Sequence, residues 1–126
     1  MSMKHDILAD CMSALKNAES VGKEECLVPA SNLIKNVLEV MKKNGYIEDF
    51  ERVENKFRVK LNHKINDCNV IRPRFSVKID EFEKWKKRYL PARGFGILIL
   101  STNQGVKDHR EAEKKGIGGK LLCYVY

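Results

Sequence analysis

The 126-residue sequence predicts an α+β protein built from two small α/β-type domains. Three observations carry this. Helix-period and strand-period apolar patterns alternate along the chain. Apolar periodicity lapses across residues 63–73. Charge also changes sign near the middle: residues 1–54 hold 7 Lys and Arg against 10 Asp and Glu, while residues 55–126 hold 17 against 7. The expected layout is an amino-terminal α-β-α-β-β domain over 1–62, a connector over 63–73, and a carboxyl-terminal, mainly β domain with short helices over 74–126.

Asp6 is the expected N-cap of the first helix, whose apolar face is Ile7, Leu8, Cys11, Met12, Leu15 and Ala18. Val21-Gly22 ends it, and Glu24 to Val28 reads as a strand stopped by Pro29. Ser31 caps a second helix running to about Lys43, with Leu33, Ile34, Val37, Leu38 and Met41 as its stripe. Asn44-Gly45 supplies the stop, Gly45 taking the left-handed position. Tyr46 to Val53 and Lys56 to Leu61 form a hairpin around Glu54-Asn55. In its second strand Phe57, Val59 and Leu61 face inward, with Lys56, Arg58 and Lys60 outward.

After the connector, Phe75, Val77 and Ile79 alternate with Arg74, Ser76 and Lys78, which predicts a strand with a basic face. Asp80 and Glu83 read as a capping box for a helix carrying Phe82, Trp85 and Tyr89 toward the core. Lys84, Lys86, Lys87 and Arg88 make that helix densely cationic. Ile97, Leu98, Ile99 and Leu100 are apolar on both faces, as in a strand covered on both sides. A polar loop follows: Ser101, Thr102, Asn103, Gln104 and Gly105. Asp108 and Glu111 form a capping box for a helix to about Lys115, which Gly116, Gly118 and Gly119 break, and Leu121 to Tyr126 is the last strand.

These features exclude several functions. Cysteines 11, 26, 68 and 123 lack paired metal-ligand spacing, and His5, His63 and His109 add no cluster, so no metal and no cofactor is expected. Cys11, Cys26 and Cys123 read as reduced core residues, and Cys68 as an exposed thiol of the connector. Ser101 lacks a nucleophile elbow, and Gly116 to Lys120 is no phosphate-binding loop, since a strand follows it. An enzyme with a small-molecule substrate is therefore not expected. No apolar run is long enough to span a membrane and no signal segment opens the chain, so the expected place is the cytosol. The net charge of +7, concentrated in the second half, favours a polyanion.

The carboxyl-terminal third resembles the small ribosomal subunit protein eight family. That family carries S-T-S-K-G, a helix with E-A-x-K-K, and V-G-G-x-x-L-x-Y-V. Here those places read S-T-N-Q-G, Glu111-Ala112-Glu113-Lys114-Lys115 and I-G-G-K-L-L-C-Y-V. The opening D-I-L-A-D-C-M-S-A-L-K-N-A is similar to the family's D-P-I-A-D-M-L-T-R-I-R-N-A, with Ile7 in place of proline and Ala14 in place of arginine. The run I-R-P-R-F and the segment from Asp80 to Gly96 are similar to the archaeal and eukaryotic-cytosolic branch.

The resemblance implies a two-domain fold and direct binding to the central domain of small-subunit ribosomal RNA, beside neighbouring ribosomal proteins. It implies RNA contacts by Ser101, Thr102, Asn103, Gln104 and Gly105, with Lys107 standing in for the charge that Gln104 lacks. Gly118, Gly119 and Lys120 would read local shape, and Phe75, Lys86, Lys87 and Arg88 would extend the surface. Lys4, His5, Lys16 and Asn17 are the first domain's candidates for a second RNA segment. Regulation of the protein's own messenger RNA through the same surface is the alternative. Hydroxyl and amide side chains suit this work, because A-form RNA exposes 2′-hydroxyls and bulged bases while hiding its major groove.

Overall fold

A computed structural model describes residues 7–72, 74–92 and 95–126. Helix α1 (Ile7–Ser20) leads to β1 (Glu25–Pro29), α2 (Asn32–Lys43), β2 (Ile47–Val53) and β3 (Lys56–Leu61). These strands form an antiparallel sheet in the order β1-β3-β2. Then come β4 (Cys68–Val70), β5 (Ser76–Val77), α3 (Phe82–Tyr89), β6 (Ile97–Thr102), β7 (Gly105–Asp108), α4 (His109–Lys115) and β8 (Gly119–Val125). The second sheet runs β4-β8-β6-β7, with β5 also paired to β8. The α+β class and the α-β-α-β-β opening are as expected.

Local signals act where the chemistry is strong. The Ser31 hydroxyl accepts from Ile34 N at 3.1 Å, capping α2. Gly45, at φ 81°, closes the same helix, with Tyr46 N donating to Met41 O at 2.9 Å. The hairpin turns at Glu54, and Phe57, Val59 and Leu61 are buried as their alternation requires. Asp108 accepts from Glu111 N at 2.8 Å and caps α4.

Several expectations are corrected. Asp6 lies outside the described residues, and Ile7, placed on the buried face of α1, is 40% exposed at the helix end. Strand β1 ends at Pro29, as expected, but includes it: Pro29 lies opposite Lys56 at the edge of its sheet, where no ladder N–H is required. The strand expected from Phe75 to Ile79 is only Ser76–Val77, and Ile79 is exposed. Helix α3 is not entered through a box of Asp80 and Glu83. Its N-cap is Glu81, which makes no side-chain cap, and its carboxylate instead accepts from Lys78 N at 2.8 Å. The polar loop expected over Ser101 to Gly105 is only Asn103 and Gln104: Ser101 and Thr102 end β6, and Gly105 opens β7, a strand too short to show a period.

The segment 63–73 holds more structure than its polarity suggested. Ile65, Cys68 and Ile71 are buried, and β4 pairs with β8. Cys68 is therefore not exposed; its thiol donates to Met12 O at 3.5 Å, and burial pushes its pKa up to about 12. Cys11 and Cys123 are buried, Cys26 is half-buried, and all four thiols are free.

Two apolar cores lie on opposite faces of the second sheet. Ile97, Ile99, Cys123 and Val125 join α1, α2 and the first sheet in one core. Leu98, Leu100 and Leu121 join Phe82 and Trp85 of α3 and Ala112 of α4 in the other. Strand β6 is buried on both faces because each face has its own cover, as its unbroken apolar run predicted.

Candidate nucleic-acid interface

The β6–β7 hairpin is closed by Thr102, not merely lined by it. Thr102 Oγ1 donates to Gly105 O at 2.7 Å and accepts from Gln104 N at 3.1 Å. Its only proton is thus directed into the turn, leaving Asn103 and Gln104 exposed at the tip. Ser101, one residue earlier, is exposed and lies directly opposite Lys120 of β8. Lys120 in turn lies opposite Ser76 of β5. Directly opposed residues of an antiparallel pair share a face. Ser76, Lys120 and Ser101 therefore form one exposed row of hydroxyl, ammonium and hydroxyl across three strands.

Two glycines make the row possible. A Cβ on Gly119 would run into Ser101 O, and one on Gly118 into Val77 O. Only hydrogen at these positions lets β6 and β5 close on β8. Gly118 and Gly119 are thereby assigned to backbone approach, with Lys120 the side chain that this turn presents.

The other expected residues divide into free and engaged. Lys87 is exposed, with no carboxylate partner among the described residues. Lys86 is clamped: its Nζ lies 2.8 Å from Glu83 Oε1 and 3.3 Å from Glu113 Oε1, tying α3 to α4. Lys107 has a side chain only 16% exposed, 3.8 Å from Glu111. Arg88 is exposed and lies over the rings of Phe75, Trp85 and Tyr89. Lys16 holds Asp67 at 2.9 Å, away from the row, and its ammonium is stabilised by that hydrogen bond and charge. Asn17 is exposed on α1. Lys4 and His5 lie outside the described residues.

Sequence reasoning missed one member of the row and one half-buried anchor outside it. Ser76 appeared only as one residue of a basic strand face, and its place in the row depends on register with β8. Asp67 looked like a loop carboxylate, yet it accepts from Lys16 and from the hydroxyls of Tyr124 and Tyr126 at 3.4 and 3.2 Å. Burial pushes its carboxyl upward, but hydrogen bonds from Lys16 and Tyr126 outweigh that and hold it below its usual range. Among the described residues no group of His, Cys, Asp or Glu is arranged to hold a metal, and no helix is long and apolar enough to cross a membrane.

Residues 6–126 match the model of the family described as Ribosomal protein S8. The chain is 56% identical over 129 residues to the small ribosomal subunit protein uS8 of Archaeoglobus fulgidus, covering 98% of this chain and 100% of the relative. The protein of the same name from Methanococcoides burtonii is 52% identical over 126 residues, covering 96% and 97%. That from Picrophilus torridus is 50% identical over 129 residues, covering 98% and 100%. A match that runs nearly end to end, with the S-T-x-x-G hairpin and the paired glycines in its path, settles the family: the chain belongs to the ribosomal protein S8 family.

Proposed function

We propose that this chain, a structural protein of the small ribosomal subunit, binds ribosomal RNA directly and helps assemble the central domain of that RNA in the cytoplasm. It acts by binding, without turnover, beside neighbouring ribosomal proteins. The observation that carries this reading is the exposed row Ser76–Lys120–Ser101, fixed in register beside the hairpin turn. Lys120 and Lys87 attract phosphates, while Ser101, Ser76 and Asn103 offer hydrogen bonds that reach 2′-hydroxyls and base edges. Thr102 and the two glycines hold that surface in place. The first unit is 1–62, whose helices α1 and α2 cover one face of the second sheet, and the RNA-binding unit is 74–126, reached through 63–73, whose β4 joins that sheet.

Binding of the purified protein to a central-domain fragment of small-subunit RNA, compared with a generic duplex of equal length, tests this. The fragment should be preferred, and Ser101→Ala should reduce the preference while Lys120→Ala weakens both RNAs. Equal binding of the two RNAs by the unmodified protein would sink the reading.

A further inference from the structure

Helix α3 presents a surface unlike the row. Phe75 and Trp85 have ring centroids 4.6 Å apart at 31°. Trp85 and Tyr89 follow at 6.3 Å, almost parallel at 9°. The exposed Arg88 guanidinium lies 5.5 Å from Phe75 and 5.6 Å from each of Trp85 and Tyr89. No carboxylate engages it among the described residues. Lys84 Nζ lies 5.0 Å from the Trp85 ring, and Lys84 and Lys87 are both exposed. Trp85 is only 5% exposed, and its indole N–H is buried with no hydrogen-bond partner among the described residues. Buried indole N–H groups ordinarily have a partner. The neighbourhood therefore holds an aromatic floor, a planar cation over it, two exposed cations and a donor unanswered among the described residues.

A solvated cationic helix face needs none of this. A guanidinium that serves only as charge has no need of three rings behind it, and a lysine would do. A guanidinium backed by rings offers its outer face to a planar heterocycle, as Arg and aromatic side chains do for unstacked RNA bases. We propose that Arg88, backed by Phe75 and Trp85, is a stacking platform for an unpaired RNA base, with Lys84 and Lys87 on the phosphates flanking it. This rests on the reading of the chain as an RNA-binding protein. It gives Arg88 a role distinct from phosphate neutralisation and adds a second subsite to the row.

The test compares the unmodified protein, Arg88→Lys and Lys87→Ala, each shown folded by its melting curve, on the central-domain fragment. A matched series of fragments carries one abasic ribose at each unpaired position. Arg88→Lys keeps the charge, so the slope of log affinity against log salt should be unchanged. Affinity should nevertheless fall roughly five- to tenfold, as expected for one lost base stack. One abasic position should weaken the unmodified protein by a similar factor and erase its difference from Arg88→Lys. Lys87→Ala should lower the slope by about one unit. The platform is overturned if Arg88→Lys binds the intact fragment like the unmodified protein. It is also overturned if no abasic position affects the unmodified protein, a measurement that needs no variant. A loss that is equal on a generic duplex would make Arg88 a phosphate contact and overturn it too. Failure of the unmodified protein to bind the fragment would be a different result, removing the RNA reading and the platform with it.

Discussion

The exposed stretches of the two sheets carry similar residues and reach opposite outcomes. On the first sheet Arg58 and Lys60 are answered at home, while Lys56 makes no ion pair among the described residues. Arg58 lies 3.0 Å from Glu51 and 4.0 Å from Glu25, Lys60 3.8 Å from Glu48, and Lys42 of the neighbouring helix 3.0 Å from Asp49. On the second sheet Lys120 stands between two serines, with no carboxylate opposite it among the described residues. From sequence the alternation at Lys56, Arg58 and Lys60 looked as basic as that around Lys78. What separates a solvated quilt of charge from the surface proposed to attract phosphate is which residues stand across the strands, and those are set by register.

Four measurements sharpen that contrast, in falling order of effect. Raising salt from 50 to 200 mM should weaken RNA binding on the order of a hundredfold or more, if about four to seven phosphates are neutralised. Lys120→Ala with Lys87→Ala should flatten that dependence by about two units, whereas Arg58→Ala with Lys60→Ala should leave it unchanged. A shared loss in both pairs would erase the distinction between the sheets. Next, Gly119→Ala should destabilise the fold by roughly 1–3 kcal/mol in denaturant melts, because its Cβ meets Ser101 O. The exposed, open Gly22 is the control for neighbours, though its φ of 75° makes alanine mildly unfavourable there too. Third, Ser101→Ala should cost roughly 1 kcal/mol of binding to the cognate fragment with no change in melting. Thr102→Ala should lower melting as well, because its hydroxyl closes the turn, and Thr102→Ser should restore it. Identical behaviour at the two positions would remove the division between reader and brace.

The smallest effect concerns His109. Its imidazole Nδ1 accepts from Leu98 N at 3.0 Å and must be unprotonated to do so. Burial, with Lys86 adding to it, holds its pKa below the ordinary 6.5 despite Glu113 and Asp108 nearby. The unfolded chain therefore takes up the proton more readily than the folded one. The stabilisation is complete above about pH 6.5 and declines as pH falls below it. His109→Asn, which keeps an acceptor but cannot titrate, should show a flatter stability between pH 7 and 5 than the unmodified protein in matched urea melts.

Much of this fold was legible because its local signals are chemical. Ser31, Asp108, Gly45 and the alternation of β3 each act within a few residues. The doubly covered β6 was legible because four consecutive apolar residues leave no wet side. What stayed hidden depends on partners distant in sequence. Strand β4 lies in a polar stretch, and Cys68 is buried only because α1 packs over it, with its thiol on Met12 O. The row Ser76–Lys120–Ser101 joins residues from three strands, and no spacing along the chain encodes it. Lys86 and Lys107 looked like free cations because their carboxylate neighbours come from helix geometry and from α4.

Strand β8 has a temporal consequence. It pairs with β4, β5 and β6, all of which precede it, and Tyr126 beyond it exchanges backbone hydrogen bonds with Asp67 at 2.9 Å in each direction. During synthesis those earlier strands leave the ribosome before the strand that joins them exists. The first sheet, whose three strands are consecutive, can zip as it emerges, whereas the second waits for β8. The row of Ser76, Lys120 and Ser101 is therefore assembled all at once and late, so an unfinished chain presents its cations without the surface that orders them. On the proposed RNA-binding reading, selection for RNA shape would wait for β8. A chain stopped before Gly119 should bind a generic duplex as well as the central-domain fragment, and a truncated chain that still preferred the fragment would show that β8 is dispensable for recognition.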